Sequence, residues 1–444
     1  MTHHATDAVS EEAYPSALRA NITLALLFIA YIFSFLDRQI LALMVGPVRA
    51  SLHISDFQMS LLQGFAFSIF FVFAGLIVGR LADHHRRTWI IAGGILLWSL
   101  MTVTSGLAGS FLILFIARMG LGVGEAALAP AGFSLLSDSF RPRHLVRATS
   151  IFSMGSLVGG GLAFFIGGAL IDYLSQTPRP IQIGSLEPWQ MAFIGVALPG
   201  LLLVPALFLL PEPARRGVGT GARPSLAVTL RYFWSRRQDF KSFYLCSGLL
   251  SVAQYGGLAW FPTHMMRNFG LGPLEAGAIL GTIQLVGSIV GTAGGAALTE
   301  WFQRRGIADA HLRTVLIASL GIALGLIAPF MTTIPFTLVF WSVAIICLSS
   351  YFGSVIAALQ LLTPNNMRAS NSALILMVLS LCGLAVGTAL IGGLADLAFA
   401  DQPSGIGRSL AFIGIPTALL SALIAFRGLP RFASAIRETL YGGD

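Results

Sequence analysis

The sequence predicts an all-α integral membrane protein with twelve transmembrane helices in two pseudo-symmetric six-helix bundles, and three observations carry that expectation. Of the 444 residues, 55% are hydrophobic and 10% charged, with a mean hydropathy of +0.80. A soluble chain of this length has no core large enough to hide so much apolar surface. Apolar stretches also recur at lengths near the ~20 residues that cross about 30 Å of hydrocarbon, separated by polar, Pro-containing or Arg-containing breaks. Finally, a long break rich in Pro, Gly and Arg divides the chain near its midpoint.

The twelve stretches run near 21–46, 57–80, 88–109, 111–136, 149–175, 189–211, 241–263, 274–298, 313–333, 335–362, 371–397 and 408–427, and are called helices 1 to 12 below. They imply an N-terminal tail over 1–20, a first bundle over 21–211, a linker over 212–240, a second bundle over 241–428 and a C-terminal tail over 429–444. The N-terminal tail lacks the basic start, short apolar core and small-residue cleavage site of a removable signal peptide, so helix 1 is expected to direct insertion. Within the linker, Leu226 to Phe243 interleaves apolar and aromatic residues with arginines. That is the pattern of a helix lying in the membrane interface, and a solvated linker fits it as well.

The halves carry faint copies of each other. Ala192-Phe193-Ile194-Gly195 recurs as Ala411-Phe412-Ile413-Gly414, and Ile166-Gly167-Gly168 before Asp172 recurs as Ile391-Gly392-Gly393 before Asp396. Arg147-Ala148 matches Arg368-Ala369 in the same order and at a similar offset, as duplication of a six-helix unit leaves behind.

A net charge of +8 and a pI near 9.9 follow from topology. The arginines cluster after helices 2, 4, 6 and 8, and Arg368 alone follows helix 10, whereas the loops after the odd-numbered helices hold one or none. The positive-inside rule then places both termini in the cytoplasm, and nucleic acid is not an expected partner. Cys246, Cys347 and Cys382 lie inside apolar stretches without metal-ligand spacing. No nucleophile–base pair, metal cluster or phosphate loop appears, so no enzymatic activity, cofactor or metal is expected. Gly120, Gly122 and Gly124 imitate a dinucleotide fingerprint but lack its preceding strand, and close helix packing explains them better.

Four charges stand inside spans: Asp37 and Arg38 in helix 1, Arg118 and Glu125 in helix 4. Each costs about 2.5–3.5 kcal/mol at a lipid-exposed midplane position, so they are expected to face one another or a watery cavity. At 1.5 Å per residue, Asp37, Arg38 and Arg118 fall at one depth and Glu125, seven residues on, lies on nearly the same face and deeper. A carboxyl whose distance to an arginine changes with conformation binds and releases protons, which makes Glu125 the first candidate for proton coupling and Asp37 the second. A static ion-pair network is the alternative reading. The second half instead shows uncharged polar groups in its spans, with Gln254, Tyr255 and Trp260 in helix 7 and Tyr351 and Ser354 in helix 10. A cavity charged on one wall and apolar on the other suits an amphiphile, its anionic head near Arg38 or Arg118 and its body toward Tyr255, Trp260 and Tyr351.

Gly79-Arg80-Leu81-Ala82-Asp83-His84-His85-Arg86-Arg87, after helix 2, resembles the signature of the major facilitator superfamily, with His84, Arg86 and Thr88 departing from it. The resemblance implies a conformational latch in which Asp83 caps the start of helix 11 near Ser370 and Asn371 while Arg87 pairs with Asp138. A second copy over Gly295 to Arg305 keeps Glu300 in the place of the Asp. Phe35-Leu36-Asp37-Arg38-Gln39, together with Arg118 and Gly122-Val123-Gly124-Glu125-Ala126, resembles the Spinster branch. That resemblance implies a proton-coupled carrier of lysophospholipid or sphingosine-1-phosphate type substrates working by alternating access, expected to be monomeric, and the arginine-rich, almost lysine-free composition points to a bacterial inner membrane. Symport of a small organic anion, and a receptor that binds without transport, remain alternatives.

Overall fold

The computed structural model describes residues 14–176, 186–215, 226–364, 367–400 and 402–441. Among the described residues, eleven helices are long and apolar enough to cross a membrane. Helix 7, Arg237–Phe269, is the twelfth long helix, held below the others in hydropathy by its charged first turns and internal polar residues. The first half comprises helix 1 (Ala17–Gln39), helix 2 (Asp56–His84 in three sections), helix 3 (Arg87–Gly106), helix 4 (Phe111–Glu125 and Leu128–Ser139), helix 5 (Pro142–Gln176) and helix 6 (Pro188–Leu209). The second comprises helix 7, helix 8 (Pro273–Arg304), helix 9 (Ala310–Gly325), helix 10 (Ile334–Leu361), helix 11 (Arg368–Ala398 in three sections) and helix 12 (Gly405–Tyr441).

The ends differ from the sequence expectation in two places. Helix 12 runs on through 429–441, where a tail was expected. In the linker a ten-residue helix, Leu226–Ser235, forms, but Lys241 and Phe243 belong to helix 7. Residues 216–225 lie outside the described residues.

Three irregularities place the site. Helix 1 gives way to a tighter 3₁₀ turn, Ile40–Leu43, directly after Asp37 and Arg38. Helix 4 breaks at Ala126 and Ala127, immediately after Glu125, because Pro130 has no N–H to give the Ala126 carbonyl. Helices 2 and 11 each contain a π-helical segment, Leu61–Phe65 and Leu379–Gly387, and the two segments meet across the boundary between the halves.

Glycines set how closely the backbones approach. A Cβ on Gly122 would stand 2.4 Å from the Phe67 carbonyl oxygen of helix 2. Between the halves, Gly168 of helix 5 sits on the Pro273 carbonyl at the start of helix 8, and Gly392 of helix 11 sits on the Asp56 carbonyl at the start of helix 2. These two seats use glycines of the repeated Ile-Gly-Gly motifs, which form part of the contact between the halves. Both lie at the end opposite the arginine clusters.

Gly64 is the tightest of these positions, since its Cβ would fall 1.7 Å from the Leu384 carbonyl oxygen. Gly64→Ala is expected to separate helices 2 and 11 at a cost of about 1–3 kcal/mol. The measurements are the melting temperature in detergent, which falls, and the distance between spin labels on the two helices, which grows.

Candidate functional site

The structure brings the four intramembrane charges of helices 1 and 4 together, but with unequal roles. Glu125 is buried. Its Oε2 accepts hydrogen bonds from Arg38 Nη2 and from Ser34 Oγ, the latter at 2.8 Å, while Oε1 is buried without a partner. Arg38 extends over the rings of Phe67 at 4.3 Å and Phe35 at 4.9 Å, so its charge is held by a carboxylate on one side and aromatic faces on the other. Asp37 is buried with Oδ1 unpartnered.

Arg118 makes no ion pair within 4 Å among the described residues. Its Nε donates to the Leu62 carbonyl at 3.3 Å, Nη1 to the Asp37 carbonyl at 3.3 Å and Nη2 to the Arg38 carbonyl at 3.4 Å. The last two carbonyls belong to the final turn of helix 1, where acceptors run short of helical donors. Arg118 therefore caps helix 1 from helix 4 and is itself fully buried. That occupies the nitrogens which the sequence assigned to a ligand.

The aromatic candidates separate likewise. Tyr255 lines a narrow crevice with Arg38, Gln39, Gln63, Leu258 and Leu384. Trp260 is fully buried and gives its Nε1–H to the Thr388 carbonyl at 3.2 Å, pinning helix 7 to helix 11. Tyr351, also fully buried, donates to Gln254 at 3.2 Å. Ser354 bonds Thr299, which bonds Thr314, a buried hydroxyl chain tying helices 8, 9 and 10. These groups spend their polarity between helices, which leaves the second half's wall more apolar than its sequence suggests.

At the arginine-rich end, Arg87 is buried and bonded to Asp138, to the Ser134 carbonyl at 2.9 Å and to Glu212 at 2.7 Å. Glu212, beyond helix 6, also accepts from the Thr88 N–H at 3.1 Å, so it caps helix 3. The side chain of Asp83 lies outside the described residues. Asn371, expected beside it, is bonded instead within the second half, to Tyr244, the Leu359 carbonyl and Thr363. Among the described residues Glu300 pairs with Arg304 at 3.2 Å, an exposed contact worth a few tenths of a kcal/mol.

The opposite end carries a cluster that the sequence reading missed. Asp56, at the start of helix 2, binds both terminal nitrogens of Arg267 at 2.8 Å each and Arg49 at 3.0 Å. Asp396 of helix 11 accepts from the N–H groups of Asp56 at 3.1 Å and Phe57 at 2.7 Å, capping helix 2 from the other half. The available signals were Ser55-x-x-Gln58, a capping box, and Asp396 in the repeat.

The Major Facilitator Superfamily profile matches residues 27–388, and the chain belongs to that superfamily. An MFS-type efflux pump of Mycolicibacterium smegmatis is 24% identical over 95% of both chains. Protein spinster homolog 3 of Danio rerio is 27% identical over 86% of this chain and 78% of its own. A crystal structure of a bacterial homologue of the human lysosomal transporter Spinster, inward-facing and unoccupied, matches with a TM-score of 0.78 at 25% identity, over 96% of this chain and 98% of the other. Within the superfamily the chain is Spinster-like, a membrane transporter and not an enzyme.

Burial pushes the Glu212 carboxyl up, but the hydrogen bonds from Arg87 and from the Thr88 N–H outweigh it and hold the carboxyl below its usual range. Its stabilisation is therefore complete above the ordinary value of 4.5 and lost as pH falls through the lower folded value. Glu212→Gln is expected to lower the melting temperature at pH 7, and the gap to the unsubstituted protein is expected to narrow as pH falls below 4.5 and to close once the Glu212 carboxyl is protonated in the folded protein.

Proposed function

We propose that this transporter moves an anionic-headed, lipid-like amphiphile of the lysophospholipid or sphingosine-1-phosphate type by proton-coupled alternating access. The Arg38–Glu125 pair carries this reading. An anion seated on Arg38 takes the guanidinium from Glu125, whose Oε1 already lacks a partner. A buried carboxylate deprived of its cation is unstable by about 3–5 kcal/mol, so the carboxyl then holds a proton. Anion binding and protonation favour one another, and Asp37, buried beside the end of helix 1, is the second carboxyl able to take part. The apolar wall of the second half receives the chain of the amphiphile.

Asp56, Arg267 and Asp396 form the closure at the arginine-poor face, and Arg87 with Asp138 belongs to the latch at the other. Both termini lie in the cytoplasm on this reading, which the distribution of arginines supports. A second reading, symport of a small organic anion, is favoured by the narrowness of the crevice at Arg38 and uses the same charges.

Flux of a fluorescent lysophospholipid in proteoliposomes tests the first reading. An imposed pH gradient is expected to drive accumulation, and Glu125→Gln to reduce it at least tenfold; flux indifferent to both would sink the proton role, and saturable uptake of a short organic acid with no lysolipid flux would favour the second reading. Arg267→Ala removes a charge-assisted pair worth about 1.5–3 kcal/mol. It is expected to shift the population toward opening at the arginine-poor face about tenfold or more, read as accessibility of a cysteine placed at Ser60.

A further inference from the structure

Among the buried polar groups that the ion pairs leave unexplained, Gln63 is the one that lines the crevice at Arg38. It is 6% exposed, it stands in the π-helical segment of helix 2, and neither its Oε1 nor its Nε2 has a hydrogen-bond partner. Because both amide atoms are unpaired, exchanging O for N changes nothing. A buried amide left unpaired is destabilising, and a leucine there would carry no such penalty. The amide faces the crevice that holds Arg38 and Tyr255, and in that crevice Arg38 Nε is buried and unpartnered as well.

The hydrogen-bonding inventory narrows what completes the site. Arg38 offers donors only, whereas Gln63 offers two donors and an acceptor. A bare anion would satisfy Arg38 and the amide N–H groups but strand Oε1. An anionic oxygen with an O–H a few bonds away satisfies all of them. The two side chains also move with the same backbone, since Leu62, next to Gln63, gives its carbonyl to Arg118, which in turn holds the Arg38 carbonyl. We propose that Arg38 and Gln63 together form a recognition site for an anionic group, phosphate or carboxylate, that carries a neighbouring hydroxyl. The proposal rests on the reading that the substrate's anion sits on Arg38, and it adds the feature that selects among anions.

Binding to the full chain in detergent tests it, with lysophosphatidic acid compared against its 2-deoxy analogue, for the intact protein and for Gln63→Leu. The intact protein is expected to bind the hydroxylated lipid at least tenfold more tightly, and the variant to bind both within twofold. The ligand-free melting temperature of Gln63→Leu is expected to be equal or higher, because the leucine buries no unpaired amide. Equal binding of the two lipids by the intact protein overturns the inference and leaves the lipid reading standing. So does a fall in ligand-free stability with discrimination intact, which marks the amide as structural. If neither lipid binds, the lipid reading fails, and the same comparison with lactate and propionate decides: selection for lactate that Gln63→Leu erases upholds the site, and equal binding or none overturns it.

Discussion

Everything in the first half hangs on how helix 1 ends inside the membrane. Lipid offers no donors, so a helix whose last carbonyls fall within the bilayer must find them elsewhere. Arg118 supplies them, and one guanidinium on the carbonyls of Asp37, Arg38 and Leu62 fixes helices 1, 2 and 4 at a single level. Arg38 and Glu125 then have defined positions from which to pair. The burial that makes Arg118 a firm anchor also withdraws it from ligands, which leaves Arg38, the partly accessible arginine, as the one able to exchange partners.

The two faces of the transporter are built on different physics. At the arginine-rich face, Arg87 gathers helix 4 and the segment after helix 6 around the start of helix 3, all within the first half. At the other, the halves hold each other directly. The two seats, Gly168 on helix 8 and Gly392 on helix 2, are alike in kind, each a motif glycine against a carbonyl at the start of a helix in the other half, although one is the second glycine of its motif and the other the first. Their acidic companions diverge: Asp396 caps helix 2, whereas Asp172 bonds Gln176 on its own helix at 2.7 Å. Pro273 at the start of helix 8 has no N–H to offer a capping carboxylate, so duplication kept the fit and lost the polar contact on one side.

Fold was legible because each span announces itself locally, by length and hydropathy, and the four intramembrane charges were legible because their expense singles them out. Partners far apart in sequence were not. Nothing local connects Asp56 with Arg267 or Asp396, which lie 211 and 340 positions away from it or its neighbour. Trp260 and Tyr351 show a different limit: an aromatic with a polar tip reads the same whether that tip meets a ligand or a neighbouring helix. Gln63 escaped because an uncharged amide in an apolar span looks inexpensive until its partners are counted.

The π-helical segment of helix 2 has a meaning beyond the contacts it makes. Such a segment absorbs one extra residue into a turn, and one residue corresponds to about 100° of rotation in the helix that follows. Helix 2 thus runs in one phase before Leu61 and in another after Phe65, with Gln63 buried inside the segment where the phase changes. Loss or gain of a single residue there would roll half a membrane span against its other half and carry the amide out to lipid. A change of one codon in length, with no alteration of any side chain, is therefore enough to change which face of this helix turns toward helix 11.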